Sequence, residues 1–95
     1  MTVLMTSDMP GTTQEGYDQL AATLVPTLQT SPGFISHAAG PVEGGYLITE
    51  LWESEQAHEA WFEHYVRSAM PADAPAPSIT YRPITNIAIA SHSID

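Results

Sequence analysis

GPVEGGYLITELWESEQAHEAW, residues 40–61, decides the fold. Val42-Glu43-Gly44-Gly45 is turn chemistry, because glycine tolerates the positive φ of tight hairpin turns. Tyr46 to Trp52 then reads as a strand with both faces covered. Leu47, Thr49 and Leu51 point one way, and Tyr46, Ile48, Glu50 and Trp52 the other. Ser54 stands where a helix N-cap belongs. Glu55 suits the positive helix start, although Ala57 leaves the capping box without its glutamate. A hairpin feeding a strand and then a capped helix is the pattern to extend in both directions.

Upstream, Thr2 to Ser7 is a short β-prone segment, closed by the turn Met9-Pro10-Gly11. Thr12 or Thr13 can cap a first helix, whose Tyr17, Leu20, Ala21, Leu24 and Leu28 share one face. Pro26 is expected to kink that helix or to end its regular part near Leu24, and Ser31-Pro32-Gly33 stops it. Phe34 to Ala39 makes the second strand, with Ile35, His37 and Ala39 on one face and Phe34, Ser36 and Ala38 on the other. Downstream, the second helix is expected from about Glu55 to Ala69 and a Pro/Ala-rich loop from Met70 to Ser78. A fourth strand is expected from Ile79 to about Ser91, with Pro83 holding it to an edge or a bulge, and Ser93-Ile94-Asp95 as a loose tail. The order β-α-β-β-α-β gives one α+β domain over residues 1–95, a ferredoxin-like four-stranded antiparallel sheet with two helices on one face. Its other face is too apolar for water, with Ile87, Ala88, Ile89 and Ala90 adding to it. A homodimer with sheets face to face is therefore expected.

Composition narrows the partners. The 95 residues carry 11 acidic side chains against two arginines and no lysine, a net charge of −9. Nucleic acid and anionic membrane surfaces both require basic side chains, so neither is an expected partner. A neutral or apolar small molecule fits better. With no cysteine there is neither disulfide nor thiolate, which is compatible with a cytoplasmic setting. The start, MTVLMTSDMPG, lacks the basic region and apolar run of a secretory signal, and no apolar run approaches the ~20 residues of a membrane helix.

Taken in order, PGTTQEGYDQL (10–20), SPGFISHAAGPVEGGYLITELWESEQAHEAWF (31–62) and PITN (83–86) resemble the antibiotic biosynthesis monooxygenase-like group of dimeric α+β barrels. The resemblance spans nearly the whole chain, and its strongest piece is the Gly-Phe strand followed by a strand ending in Trp-Glu-Ser before a helix. It implies a dimeric α+β barrel with one pocket per subunit between the sheet and its own helices. Members include cofactor-independent quinone-forming oxygenases, haem-degrading enzymes and many small proteins with no assigned activity. In the quinone-forming oxygenases an Asn four residues before the strand-end Trp helps hold the substrate. Trp52 matches that Trp, whereas Ile48 occupies the Asn position, a departure from both the oxygenase and the haem-degrading patterns.

His58 is the most reactive side chain in prospect. His58, Trp61, Phe62, Tyr65 and Ala69 fall on one helical stripe facing the sheet, and a desolvated imidazole moves protons near neutral pH. The plainer alternative is a buried imidazole satisfied by a neighbour. Glu50 shares its strand face with Ile48 and Trp52. A carboxylate there would suit a base, the alternative being a pair with Arg82 or contact with water. His58 and Glu50 are thus the expected catalytic residues. Trp52, Trp61 and Tyr65 are expected to hold a planar ligand, or to be plain core. His37 faces either the pocket or a dimer partner, and Asn86, matching a polar position in similar proteins, is expected to bond a ligand or a loop. Tyr17 and Tyr81 are possible hydroxyl donors with no stronger claim. His58 and His64 are six residues apart, about 240° around a helix, so HEAWFEH is no zinc motif, and no P-loop, Rossmann or nucleophile-elbow motif occurs. No metal or cofactor is expected. The resemblance implies cofactor-independent oxygenation of an aromatic or polyketide-like molecule in secondary metabolism. A cyclase or isomerase using the same pocket without oxygen, and a non-catalytic small-molecule-binding dimer, are the alternatives.

Overall fold

The computed structural model describes residues 1–70, 73 and 76–90. Four strands, β1 (Val3–Pro10), β2 (Phe34–Val42), β3 (Gly45–Trp52) and β4 (Ser78–Pro83), form one sheet in the order β2-β3-β1-β4. Every neighbouring pair is antiparallel. Helix α1 (Gln14–Leu28) connects β1 to β2. After β3 the chain enters α2 (Glu55–Trp61), passes through a π-helical turn (Phe62–Val66) and ends in a last turn, α3 (Arg67–Ala69). This is the ferredoxin-like α+β arrangement that the order of elements implied. No helix among the described residues is long and apolar enough to cross a membrane.

The local signals act as expected at both helix starts. The Thr13 hydroxyl accepts from the Gly16 amide at 3.0 Å, and the Ser54 hydroxyl from the Ala57 amide at 3.1 Å. The β2–β3 turn closes through Gly44, whose φ of +80° excludes most side chains. Gly33 (φ +88°) is required twice over, since a Cβ there would lie 2.7 Å from the Ala57 side chain.

Four expectations are corrected. Pro26 does not end the regular part of α1 near Leu24; the helix runs on to Leu28. Pro26 is exposed, and so is Ala22, whose carbonyl gets no helical partner from proline, so the unmade bond lies at the surface and not in the core. On β2 the register jumps between Phe34 and Ser36, so Ile35 is a bulge. Phe34 therefore shares the helix-facing side with His37 and meets Trp52 edge-on at 5.5 Å. The second helix is not uniformly α-helical. The π turn adds one residue to the repeat, so Val66 and not Tyr65 turns inward. Finally, β4 stops at Pro83, which has no N–H to continue a ladder. One further bond, from the Ile84 amide to the Thr2 carbonyl at 2.9 Å, closes the pairing, and residues 84–90 are not strand. The expected tail, residues 93–95, and most of the 71–75 loop lie outside the described residues.

The core sits between the helices and one sheet face, with Val3, Met5, Leu28, Trp52, Trp61 and Val66 buried together. Three polar groups share that interior: Ser7, Glu50 and His58.

Candidate active site

Alternation along β3 puts Glu50 and Trp52 on the helix-facing side, two residues apart. Glu50 is only 2 % exposed, yet both carboxylate oxygens are bonded. The Trp52 indole donates to Oε1 at 2.8 Å. On the neighbouring strand, His37 is the register partner of Glu50, and its Nδ1 lies 2.6 Å from Oε2. The bulge at Ile35 keeps Phe34 and His37 on the same face. From α1, the Tyr17 hydroxyl meets the other imidazole nitrogen, Nε2, at 2.6 Å, and the Tyr17 ring stacks on Tyr46 at 5.0 Å. Burial, seconded by the Glu50 charge, pushes the Tyr17 hydroxyl pKa up.

A second arm approaches Glu50 from α2. His58 Nε2 is 3.9 Å from Oε1, too far for a hydrogen bond but within the field of the carboxylate. His58 Nδ1 and the Tyr81 hydroxyl of β4 share a hydrogen bond of 2.7 Å. Burial holds the His58 pKa below the usual imidazole range, and the Glu50 charge opposes that only in part. Tyr81 is pushed up to about 12, first by burial and then by the charges of Glu59, Glu55 and Glu50. The described side chains leave no buried nitrogen or oxygen unpartnered. The result is a polar chain, Tyr17–His37–Glu50···His58–Tyr81, crossing an otherwise apolar interior.

The chain forms part of the wall of a cavity between the sheet and the helices, about 70 Å³ in volume. Met5, Met9, Leu20, Leu24, Val66 and Ile79 supply much of the apolar wall. One end is tied by Trp61, whose indole donates to the Thr27 hydroxyl at 2.8 Å. Thr27 in turn donates to the Leu24 carbonyl at 2.6 Å. Among the described residues no three His, Asp or Glu side chains are arranged to hold a metal ion.

A family model for antibiotic biosynthesis monooxygenases matches residues 1–70, from the start of the chain to the end of the second helix. The chain belongs to the antibiotic biosynthesis monooxygenase family. The matched segment contains Tyr17, His37, Glu50 and His58 and stops short of Tyr81. Solved structures of the same shape include an arginine-to-serine mutant of MhuD with two manganese protoporphyrin IX molecules per active site (TM-score 0.66, 20 % identity, covering 95 % of this chain and 100 % of that one). A second structure of MhuD, a heme-degrader from Mycobacterium tuberculosis, scores 0.62 at 22 % identity over 93 % of this chain and 99 % of that one. The ActVA-Orf6 monooxygenase of Streptomyces coelicolor, in complex with nanaomycin D, scores 0.58 at 24 % identity over 95 % and 91 %. At these identities the likeness is one of fold. No curated protein sequence matches the chain.

Within this antibiotic biosynthesis monooxygenase fold, Glu50, His58, His37 and Trp61 meet at one cavity. Three other expected site residues do not line it. Trp52, 0 % exposed, lies behind Glu50 and holds the carboxylate instead of touching the cavity. Tyr65, 36 % exposed, is turned outward by the π turn and packs against His64. Asn86 follows the end of β4 and lies in a groove on the opposite side of the sheet, with Leu4, Thr49 and Ile87. Nor does Glu50 pair with Arg82, since Arg82 is exposed opposite Leu4. Tyr17 and Tyr81 turn out to close both ends of the polar chain. Their signal was a hydroxyl-bearing aromatic on an inward-facing register, Tyr17 above Leu20 and Leu24, Tyr81 beside Ile79.

Proposed function

We propose that this protein is a cofactor-independent monooxygenase in secondary metabolism that removes a proton from a neutral, phenolic aromatic or polyketide-like substrate. The observation that carries this reading is the His37–Glu50 pair at 2.6 Å on the wall of an apolar cavity. A carboxylate behind one imidazole nitrogen orients the ring and stabilises the imidazolium that forms when the other nitrogen takes a proton. Tyr17 now occupies that second nitrogen. A substrate hydroxyl or activated C–H takes the place of the Tyr17 hydroxyl, and the cavity widens as it does so. Its present 70 Å³ is far below the roughly 300 Å³ of pockets built around drug-sized ligands.

In the reaction, an activated CH₂ gives one proton to His37 and becomes a carbanion. The carbanion adds to O₂, the resulting peroxide anion takes the proton back from His37, and the hydroperoxide so formed loses water to leave a carbonyl. One oxygen atom stays in the product and the other leaves as water. The fold also occurs in a porphyrin-bound protein, but haem does not fit the residues present. Its carboxylates need cations, and of the two arginines Arg67 is exposed and paired with Glu63 while Arg82 is exposed beside the open face. The same shortage of cations favours a neutral substrate.

An oxygen electrode with an anthrone substrate tests the proposal. It requires one O₂ consumed per substrate with no added metal or cofactor. Turnover without oxygen would instead favour the cyclase or isomerase reading, for which Ile48 speaks, since it offers no amide to hold a substrate oxygen. We also propose a homodimer, supported by the apolar Ile87 and Ile89 exposed after β4 (39 % and 81 %). Light scattering at micromolar concentration should give twice the 10.3 kDa of one chain.

A further inference from the structure

We infer that His58 serves as a neutral hydrogen-bond donor, its Nε2–H aimed at the oxyanion that develops on the substrate, and that Tyr81 fixes this tautomer by donating its hydroxyl proton to Nδ1. The inference rests on the proposed proton abstraction and assigns the second histidine a role different from the first.

The geometry leaves two ways to place the protons between His58 and Tyr81. If Nδ1 carried the proton, the Tyr81 hydroxyl hydrogen would need another acceptor, yet Tyr81 makes no other hydrogen bond among the described residues. The bare lone pair of Nε2 would then face Glu50 Oε1 at 3.9 Å, a repulsive pairing in a water-poor interior. With the proton on Nε2 both costs vanish. The hydroxyl donates to Nδ1, and the Nε2–H lies in the attractive field of the carboxylate without being consumed by it, because 3.9 Å is beyond hydrogen-bond range. The donor stays free for a group in the cavity that His58 lines.

The surroundings favour the neutral ring. The titratable groups facing His58 are Glu50 from β3 and Tyr81 from β4, and Trp52, Trp61 and Phe62 enclose the rest of it. His58 is 1 % exposed, and its low pKa agrees with this enclosure. A neutral imidazole N–H held in place before reaction stabilises growing negative charge without having to give up its proton. Charge separation then falls on the two sides of Glu50. The proton leaves the substrate toward His37, and the substrate oxygen left negative is held by His58. Tyr81, which does not touch the cavity, acts through His58 as a positioning residue.

Long-range ¹H–¹⁵N correlation spectra of the wild-type chain at pH 7 test the tautomer directly. The expected result is a protonated Nε2 and a bare Nδ1 on His58, with Tyr81→Phe mixing the two forms. A protonated Nδ1 in the wild type would overturn the inference. In turnover, His58→Ala should lower kcat about 10²–10³-fold with KM little changed, as loss of one oxyanion donor does. His58→Gln, whose side-chain amide still donates, should recover about tenfold or more of that loss. A glutamine variant no better than alanine would mean that His58 moves a proton, and the donor role would be wrong. Should His58→Ala fail to fold, the wild-type spectra still decide. If no quinol or anthrone is turned over at all, the proton-abstraction reading fails while the tautomer remains measured on its own.

Discussion

The two histidines beside Glu50 are the same residue type in opposite circumstances. His37 comes from an outer strand, keeps 16 % of its side chain exposed and touches the carboxylate at 2.6 Å. His58 comes from a helix, is 2 % exposed at its side chain and stands 3.9 Å away. Each is backed by a tyrosine hydroxyl on its other nitrogen. A short bond to an anion favours an imidazole that can take up charge. Burial without that bond favours one that stays neutral. Distance to one carboxylate thus divides the labour, and Trp52 holds the carboxylate in place for both.

Replacing the shared element should have the largest effect. Glu50→Gln should cost about 10³–10⁴-fold in kcat, the scale of amide substitution behind a catalytic imidazole, with KM changing far less. His37→Gln should cost about 10²–10⁴-fold in kcat, the scale of losing a positioned general base. Trp52→Phe should act on stability, because it leaves a buried carboxylate oxygen without its donor. A loss of about 1–3 kcal/mol in denaturant unfolding is expected, together with weaker activity. His58 should be visible in the pH dependence of stability. Its folded pKa lies below the ordinary 6.5, so the unfolded chain binds more protons as the pH falls through that value. Its contribution is fully present above pH 6.5 and is lost on acidification, at no more than about 1.4 kcal/mol per pH unit. His58→Gln should flatten that slope between pH 7 and 5. The smallest effect belongs to Arg67→Ala, whose partner Glu63 is as exposed as itself. It should change neither turnover nor the site.

The comparison also shows what could be read in the chain. Glycine and serine at the hairpin and the helix start, with alternation from Tyr46 to Trp52, were enough for the order of elements and for Glu50 and His58 facing inward. What escaped depends on single-residue insertions that no fixed period reveals. A bulge at Ile35 rotates Phe34 to the side of His37, and a π turn at Phe62–Val66 exchanges Tyr65 for Val66 on the cavity wall. Pro26 does not end α1 because both it and Ala22 are on the exposed side of the helix, where a missing backbone bond is least costly. The pairing of His37 with Glu50 is a cross-strand register, fixed once the bulge is counted. Tyr17 and Tyr81 required the tertiary packing of α1 and β4 on that register. Asn86 lies away from the cavity because β4 ends at Pro83, and the chain after it runs along the opposite side of the sheet.

The most direct test of the account is the exchange of an anthrone's activated C–H with D₂O under anaerobic conditions, followed by NMR. Proton abstraction then runs without oxygen to consume the carbanion. The wild type should accelerate exchange over buffer, Glu50→Gln and His37→Gln should abolish the acceleration, and His58→Gln should retain part of it, more than His58→Ala. Acceleration that survives the loss of both His37 and Glu50 would contradict the account, because the proton would then be leaving by a route that does not use the pair.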